Sequence, residues 1–158
     1  MITKQMNNAE FLPFVVEELE RTEGKTVTLP LKGFSMRPFL ENERDKALLI
    51  AAKKPQVGDA VLAEVRKGVF VLHRIIRIEG DRVTLRGDGN LSCEYCRIGD
   101  VKAKAIGFYR KGRATADMTD GMKWRIYSWL WVRLYPIRRY LLFLWHPHVP
   151  QRFKKRNR

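Results

Sequence analysis

Val69-Phe70-Val71-Leu72-His73-Arg74-Ile75-Ile76-Arg77-Ile78, the turn Glu79-Gly80-Asp81 and the run Arg82-Val83-Thr84-Leu85 together decide the fold. Two β-branched runs flank a tripeptide of turn formers, so the chain must double back as an antiparallel hairpin. The same pattern extends outward. Apolar runs suited to strands lie at 47–51, 60–65 and 101–109, and Thr26-Val27-Thr28-Leu29 alternates with period two. Val57-Gly58-Asp59, Lys67-Gly68, Gly87-Asp88-Gly89-Asn90 and Ile98-Gly99-Asp100 punctuate them as turns. Five or six short strands with no helix between them predict a mainly β fold, a small coiled antiparallel sheet or barrel.

Helices are expected only at the two ends. Phe11, Val15 and Leu19 repeat at four-residue spacing, with Asn8 available as a cap and Gly24 as a stop. Proline fits only a first helical turn, so Pro13 moves the expected start past Asn8. Three parts follow: an N-terminal helix over 1–24, a β domain over 25–113, and a linker with a helical arm over 114–158.

Charge separates the arm from the rest. The 158 residues carry a net charge of +14. Residues 121–158 hold ten basic side chains and no acidic one, leaving 21 basic against 17 acidic in residues 1–120. The arm also holds all four tryptophans. Its charges fall on every side of a helical wheel, and Pro136 should kink or break the helix. As a membrane span it fails. Arg133, Arg138 and Arg139 cost about 3 kcal/mol each near mid-bilayer, more than its aliphatic residues return. Two uses remain open: peripheral membrane contact through 123–158, or a helical arm docked on the sheet. The N-terminus lacks a leader-like apolar run, which gives a cytoplasmic expectation, with the inner membrane face as the alternative.

Chemistry concentrates in two places. The first is Lys32-Gly33-Phe34-Ser35-Met36-Arg37-Pro38, after the first strand. A serine in a turn ordinarily satisfies backbone groups. Gly33 lets main chain approach a substrate, however, and Pro38 stiffens the exit, so the turn can aim the Ser35 hydroxyl at a carbonyl. The second is His73, in the longest strand. A histidine there is ordinarily a satisfied core residue. If the hairpin loop has four residues, His73 faces Asp88; with three it faces Gly87, and Asp88 lies one step off. Asp88 also has a purely structural reading as a turn residue. Cys93-Glu94-Tyr95-Cys96 reads as two ordinary thiols in a loop, since one such pair supplies too few ligands for zinc. No metal or other cofactor is implied.

Taken in order, Ser35-Met36-Arg37-Pro38, Val57-Gly58-Asp59-Ala60-Val61, His73-Arg74-Ile75-Ile76 and Gly87-Asp88-Gly89-Asn90 resemble the signal-peptidase-like serine peptidases, relatives of the LexA-type self-cleaving repressors. The resemblance covers roughly residues 27–113 and implies that family's coiled β fold. It implies Ser35 as nucleophile, His73 as general base and Asp88 as the aspartate that orients it, as in archaeal and endoplasmic-reticulum signal peptidases. Gly33, Phe34, Met36 and Pro38 would then line the substrate. A peptide or protein would be cut through an acyl-enzyme, with an extended substrate strand paired beside Ser35. The chain differs from the family in its short acidic helix in place of an N-terminal anchor, in Gly33 where many bacterial members carry a serine, and in lacking large insertions. A small peptidase that trims a leader from a dedicated peptide fits those differences.

Two rival readings stand beside it. A catalytically inactive scaffold would keep the fold, although Ser35, His73 and Asp88 are all present. A basic nucleic-acid-binding module would explain the charge, but no helix-turn-helix pattern occurs and the basic excess sits in a tryptophan-rich arm, which disfavours nucleic acid as a partner.

Overall fold

The computed structural model describes residues 8–145. Helix α1 (Asn8–Arg21) leads into β1 (Val27–Pro30), β2 (Lys46–Ala51), β3 (Ala60–Arg66), β4 (Val69–Glu79), β5 (Arg82–Arg86), β6 (Glu94–Arg97), β7 (Val101–Tyr109) and β8 (Asp117–Met118), then α2 (Met122–Arg133) and α3 (Tyr135–Trp145). All strand pairings are antiparallel. The order across the sheet is β1-β2-β7-β3-β4-β5-β6, with β8 on β7. Mainly β is therefore right. The barrel alternative is not: the sheet stays open, with β1 and β6 at its ends.

Alternation along β4 divides the interior. Phe70 and Leu72 pack with α1, the 31–40 loop and Trp124 of α2, whereas Val71 and Ile75 pack with Val61, Val83, Leu85 and Val101 on the other face. Val15 and Leu19, from the predicted stripe of α1, are buried in the first cluster.

Three expectations are corrected. Pro13 lies inside α1, which already runs from Asn8. Glu94–Arg97, read as loop, forms edge strand β6 against β5; its two exposed residues hid it from an apolar scan. Asp117–Met118, read as linker, pairs with β7. Pro136 falls in the first turn of α3, just past the break after Arg133, where its missing N–H costs nothing.

Of the two uses left open for the arm, docking describes α2. Trp124, Ser128 and Trp131, spaced four and three apart, are buried, and Trp124 packs edge-on against Phe39 and at a tilt against Phe108. Trp129 of the same helix is 58% exposed. Trp124→Ala should therefore lower unfolding free energy by about 3–5 kcal/mol in urea titration, while Trp129→Ala leaves the midpoint nearly unchanged.

Candidate active site

The Ser35 loop is braced at both ends. Leu31 N–H donates to Asp45 C=O (3.0 Å) and Gly33 N–H to Asn42 Oδ1 (2.7 Å). Gly33 sits at φ +92°, in the left-handed region, and a Cβ there would meet open space. Its requirement is thus conformational. Arg37 Nε donates to Glu41 Oε1 (2.8 Å), and its guanidinium lies 4.0 Å from the Phe34 ring centre.

The Gly87-Asp88-Gly89-Asn90 turn closes on this loop from the other side. Gly89 N–H donates to the Ser35 carbonyl at 2.7 Å. A Cβ on Gly87 would stand 2.4 Å from that oxygen, and one on Gly89 2.8 Å from the Phe34 carbonyl. Both glycines are needed because serine-loop main chain lies where side chains would be.

Asp88 is where the structure departs from the expected triad. Ile78 does pair with Val83, the register that would carry His73 opposite Asp88. A bulge between Ile75 and Arg77 then shifts the ladder, so that Arg74 pairs with Arg86. Arg74, on the α2 face, takes Asp88 instead: its Nε and Nη2 donate to the two carboxylate oxygens at 2.8 and 2.7 Å. Tyr127 OH donates to the same carboxylate at 3.2 Å, and Trp131 Nε1 to the Asp88 carbonyl at 2.9 Å. Arg74 and Asp88 are both fully buried. Asp88 therefore acts on His73 only through space, and its bonded role is to anchor the turn under Ser35.

His73 faces the other way. It pairs across the sheet with Val61, and Glu94 pairs with Leu85, both partners belonging to the second cluster. There His73 Nδ1 lies 2.7 Å from Glu94 Oε2. The contact is off the axis of a good hydrogen bond, and neither buried atom has another partner. Burial lowers the His73 pKa from its ordinary 6.5; the Glu94 carboxylate, and more weakly Asp88, pull it back up. The ring is thus neutral at pH 7, as a general base must be. Sequence reasoning missed Glu94. It stood inside the cysteine segment read as loop, and only recognition of β6 would have brought it opposite β5.

Ser35 and His73 line one cavity of about 170 Å³, with no hydrogen bond between them. Gly33 and Met36 also line it, Met36 from the core, together with Leu31, Leu40 and the Phe70–Leu72 segment. Phe34 and Pro38 do not. Phe34 projects into solvent against Arg37, and Pro38 faces a separate groove with Trp131, Leu141 and Leu144. Both cysteines are free, and burial raises the Cys96 thiol to about 11, far from thiolate chemistry. His146 and His148 lie outside the described residues. No family model matches the chain, and no curated protein matches it either.

A buried ion pair that loses one partner leaves an uncompensated charge. Asp88→Ala and Arg74→Ala should each destabilise the protein by about 3–5 kcal/mol in urea. The double variant Arg74→Met/Asp88→Leu should recover much of that loss; additive losses would mean that the two side chains do not act as a pair.

Proposed function

We propose that the protein is a serine peptidase of the signal-peptidase and LexA type that hydrolyses an extended peptide through an acyl-enzyme. The observation that carries this reading is the shared cavity: 38 positions apart in the chain, Ser35 and His73 line the same opening. The Glu94 carboxylate beside Nδ1 supports it, because a group facing one ring nitrogen orients the other. Convergence of the four resembling segments supports it further. Gly89 bonds Ser35, Arg74 bonds Asp88, Arg74 Nη1 donates to Gly58 C=O at 2.9 Å, and Ile75 N–H donates to Asp59 C=O at 2.9 Å.

In this mechanism His73 Nε2 takes the hydroxyl proton as Ser35 Oγ bonds the substrate carbonyl carbon. The Ser35 N–H, which has no acceptor among the described residues, donates to the oxyanion. Collapse breaks the C–N bond, and His73 returns the proton to the departing amine. Water, deprotonated by His73, then attacks the ester and restores Ser35 Oγ–H. Glu94 holds Nδ1 and stabilises the imidazolium, the part that the resemblance gave to Asp88. Catalysis needs Ser35 Oγ and His73 Nε2 within hydrogen-bond reach, a contact that is commonly loose in an empty site.

The sheet supplies a place for the substrate main chain. β5 pairs with β4 only from Arg74 to Glu79, so residues 69–73 are hydrogen-bonded on one side, by β3. Their free edge borders the cavity and can take an extended peptide as an added strand. The modest volume favours a small side chain next to the scissile bond.

A fluorophosphonate probe should label the protein, and Ser35→Ala and His73→Ala should each abolish labelling; persistence in both rejects the assignment. With a peptide substrate, Glu94→Gln should lower kcat/KM by about 10–100-fold. It should also move the acid limb of the pH profile to lower pH, because a negative charge that raises the His73 pKa has been removed. An unmoved limb would place Glu94 outside the mechanism.

A further inference from the structure

The helices that clamp the turn beneath Ser35 leave their outer sides uncovered. On α2, Ile126, Trp129 and Leu130 are exposed at helical spacing, and on α3 so are Ile137, Tyr140 and Leu144. Isolated exposed apolar residues are ordinary, but six on two consecutive helices form a surface that water covers poorly. Exposed Lys123, Arg125, Arg133 and Arg139 lie among them, and the Arg133 guanidinium sits 4.5 Å from the Trp129 ring centre. Beyond α3 the sequence adds Arg152, Lys154, Lys155, Arg156 and Arg158 without an acidic residue.

We propose that this outer surface of α2 and α3 lies on an anionic lipid bilayer, without crossing it. Charge complementarity selects the occupant. Apolar and aromatic side chains interleaved with cations, with no carboxylate anywhere in residues 121–158, match an interface of anionic headgroups over acyl chains. Another copy of this surface would bring like charges together at every cation. Among the described residues no helix is long and apolar enough to span a membrane, so contact would be peripheral. The apolar groove between Pro38, Trp131, Leu141 and Leu144, about 340 Å³, continues this surface to the back of the serine loop. It offers space for part of one acyl chain.

The inner sides of the same helices fix the consequence. Trp131 holds the Asp88 carbonyl, and buried Arg138 reaches the Trp131 carbonyl at 3.0 Å and the Asn90 carbonyl at 3.4 Å. Lipid contact on one side and support of the turn beneath Ser35 on the other therefore share two helices. A peptidase docked in this way would meet substrates at the membrane surface. The lipid inference itself does not rest on the peptidase reading, since Ser35→Ala protein should bind vesicles equally well.

The test uses the full-length protein and co-sedimentation with vesicles of phosphatidylcholine mixed with phosphatidylglycerol. Binding should be strong at low salt, weaken as salt rises, and be small on phosphatidylcholine alone. Arg133→Ala and Arg139→Ala should each reduce partitioning about fivefold. Trp129→Ser combined with Tyr140→Ser should reduce it at least as much while leaving the urea midpoint unchanged, because both side chains are exposed. A lipid-borne bromine quencher should dim fluorescence in the natural protein more than in Trp129→Tyr. No binding at low salt would overturn the proposal and leave a protein partner as the cover for this surface. Undiminished binding by the Trp129→Ser/Tyr140→Ser protein would overturn it too, assigning the affinity to the basic tail.

Discussion

The buried pair of Arg74 and Asp88 is the constraint on which the arrangement depends. A guanidinium has five N–H donors and cannot shed its charge, so once it is inside the protein every direction of the fork needs an acceptor. Asp88 takes two, and Gly58 C=O and the Ser128 hydroxyl meet the third nitrogen. The Trp124 ring lies 4.9 Å from the guanidinium carbon. Four segments distant in sequence are thereby assembled around one side chain: the turn before β3, strand β4, the turn after β5, and α2. Apolar packing alone would tolerate small slips among them, whereas a bidentate ion pair in a dry interior does not.

Position of the candidate nucleophile follows from that assembly. Ser35 makes no bond to Arg74 or Asp88. It is placed because Gly89, next to Asp88, bonds the Ser35 carbonyl, and because Gly87 offers no Cβ to push the loop away. From the other end, Asn42 and Asp45 hold the loop through the N–H groups of Gly33 and Leu31, the latter through the Asp45 main chain. Asp45 is itself buried, and its carboxylate accepts the N–H groups of Glu41 and Lys111 and the Arg44 guanidinium. Two buried carboxylates, one on each flank, thus fix a segment that is neither helix nor strand.

Much of this was legible in the sequence, and the gaps have physical causes. Strands β2 to β5 and β7 show as apolar runs because at least one of their faces is buried, and burial is what a run records. Edge strand β6 shows nothing, because an edge exposes half its residues and Tyr95 and Arg97 are polar. The bulge near Ile76 leaves no mark in composition, yet it decides which side chain reaches Asp88. Register arithmetic offered both pairings, and the ladder begins in one and shifts out of it. Ser35, His73 and Asp88 stand out in the sequence as candidates, but the orienting role that the resemblance implies for Asp88 follows motif order and not side-chain direction. Adjacent strand residues point to opposite faces, so a carboxylate bonded to Arg74 is not also available to its neighbour His73.

That alternation divides work between two carboxylates. Asp88 is sealed beside a permanent cation, a setting that favours a fixed position. Glu94 is partly open to solvent, 38% by side chain, and faces a ring whose protonation can change. Attraction to Glu94 raises the His73 pKa while burial lowers it more, so the folded ring is neutral where an unfolded one begins to take up protons. The consequence for stability has a definite sign. Below pH 6.5 the unfolded chain gains a proton that the folded site resists, and the contribution of His73 to stability falls as acidity rises. A stiff, fully sealed partner would suppress that sensitivity only by fixing the imidazole in one state. The base proposed here, which would gain and lose a proton in each cycle, is better served by a carboxylate that water can still reach.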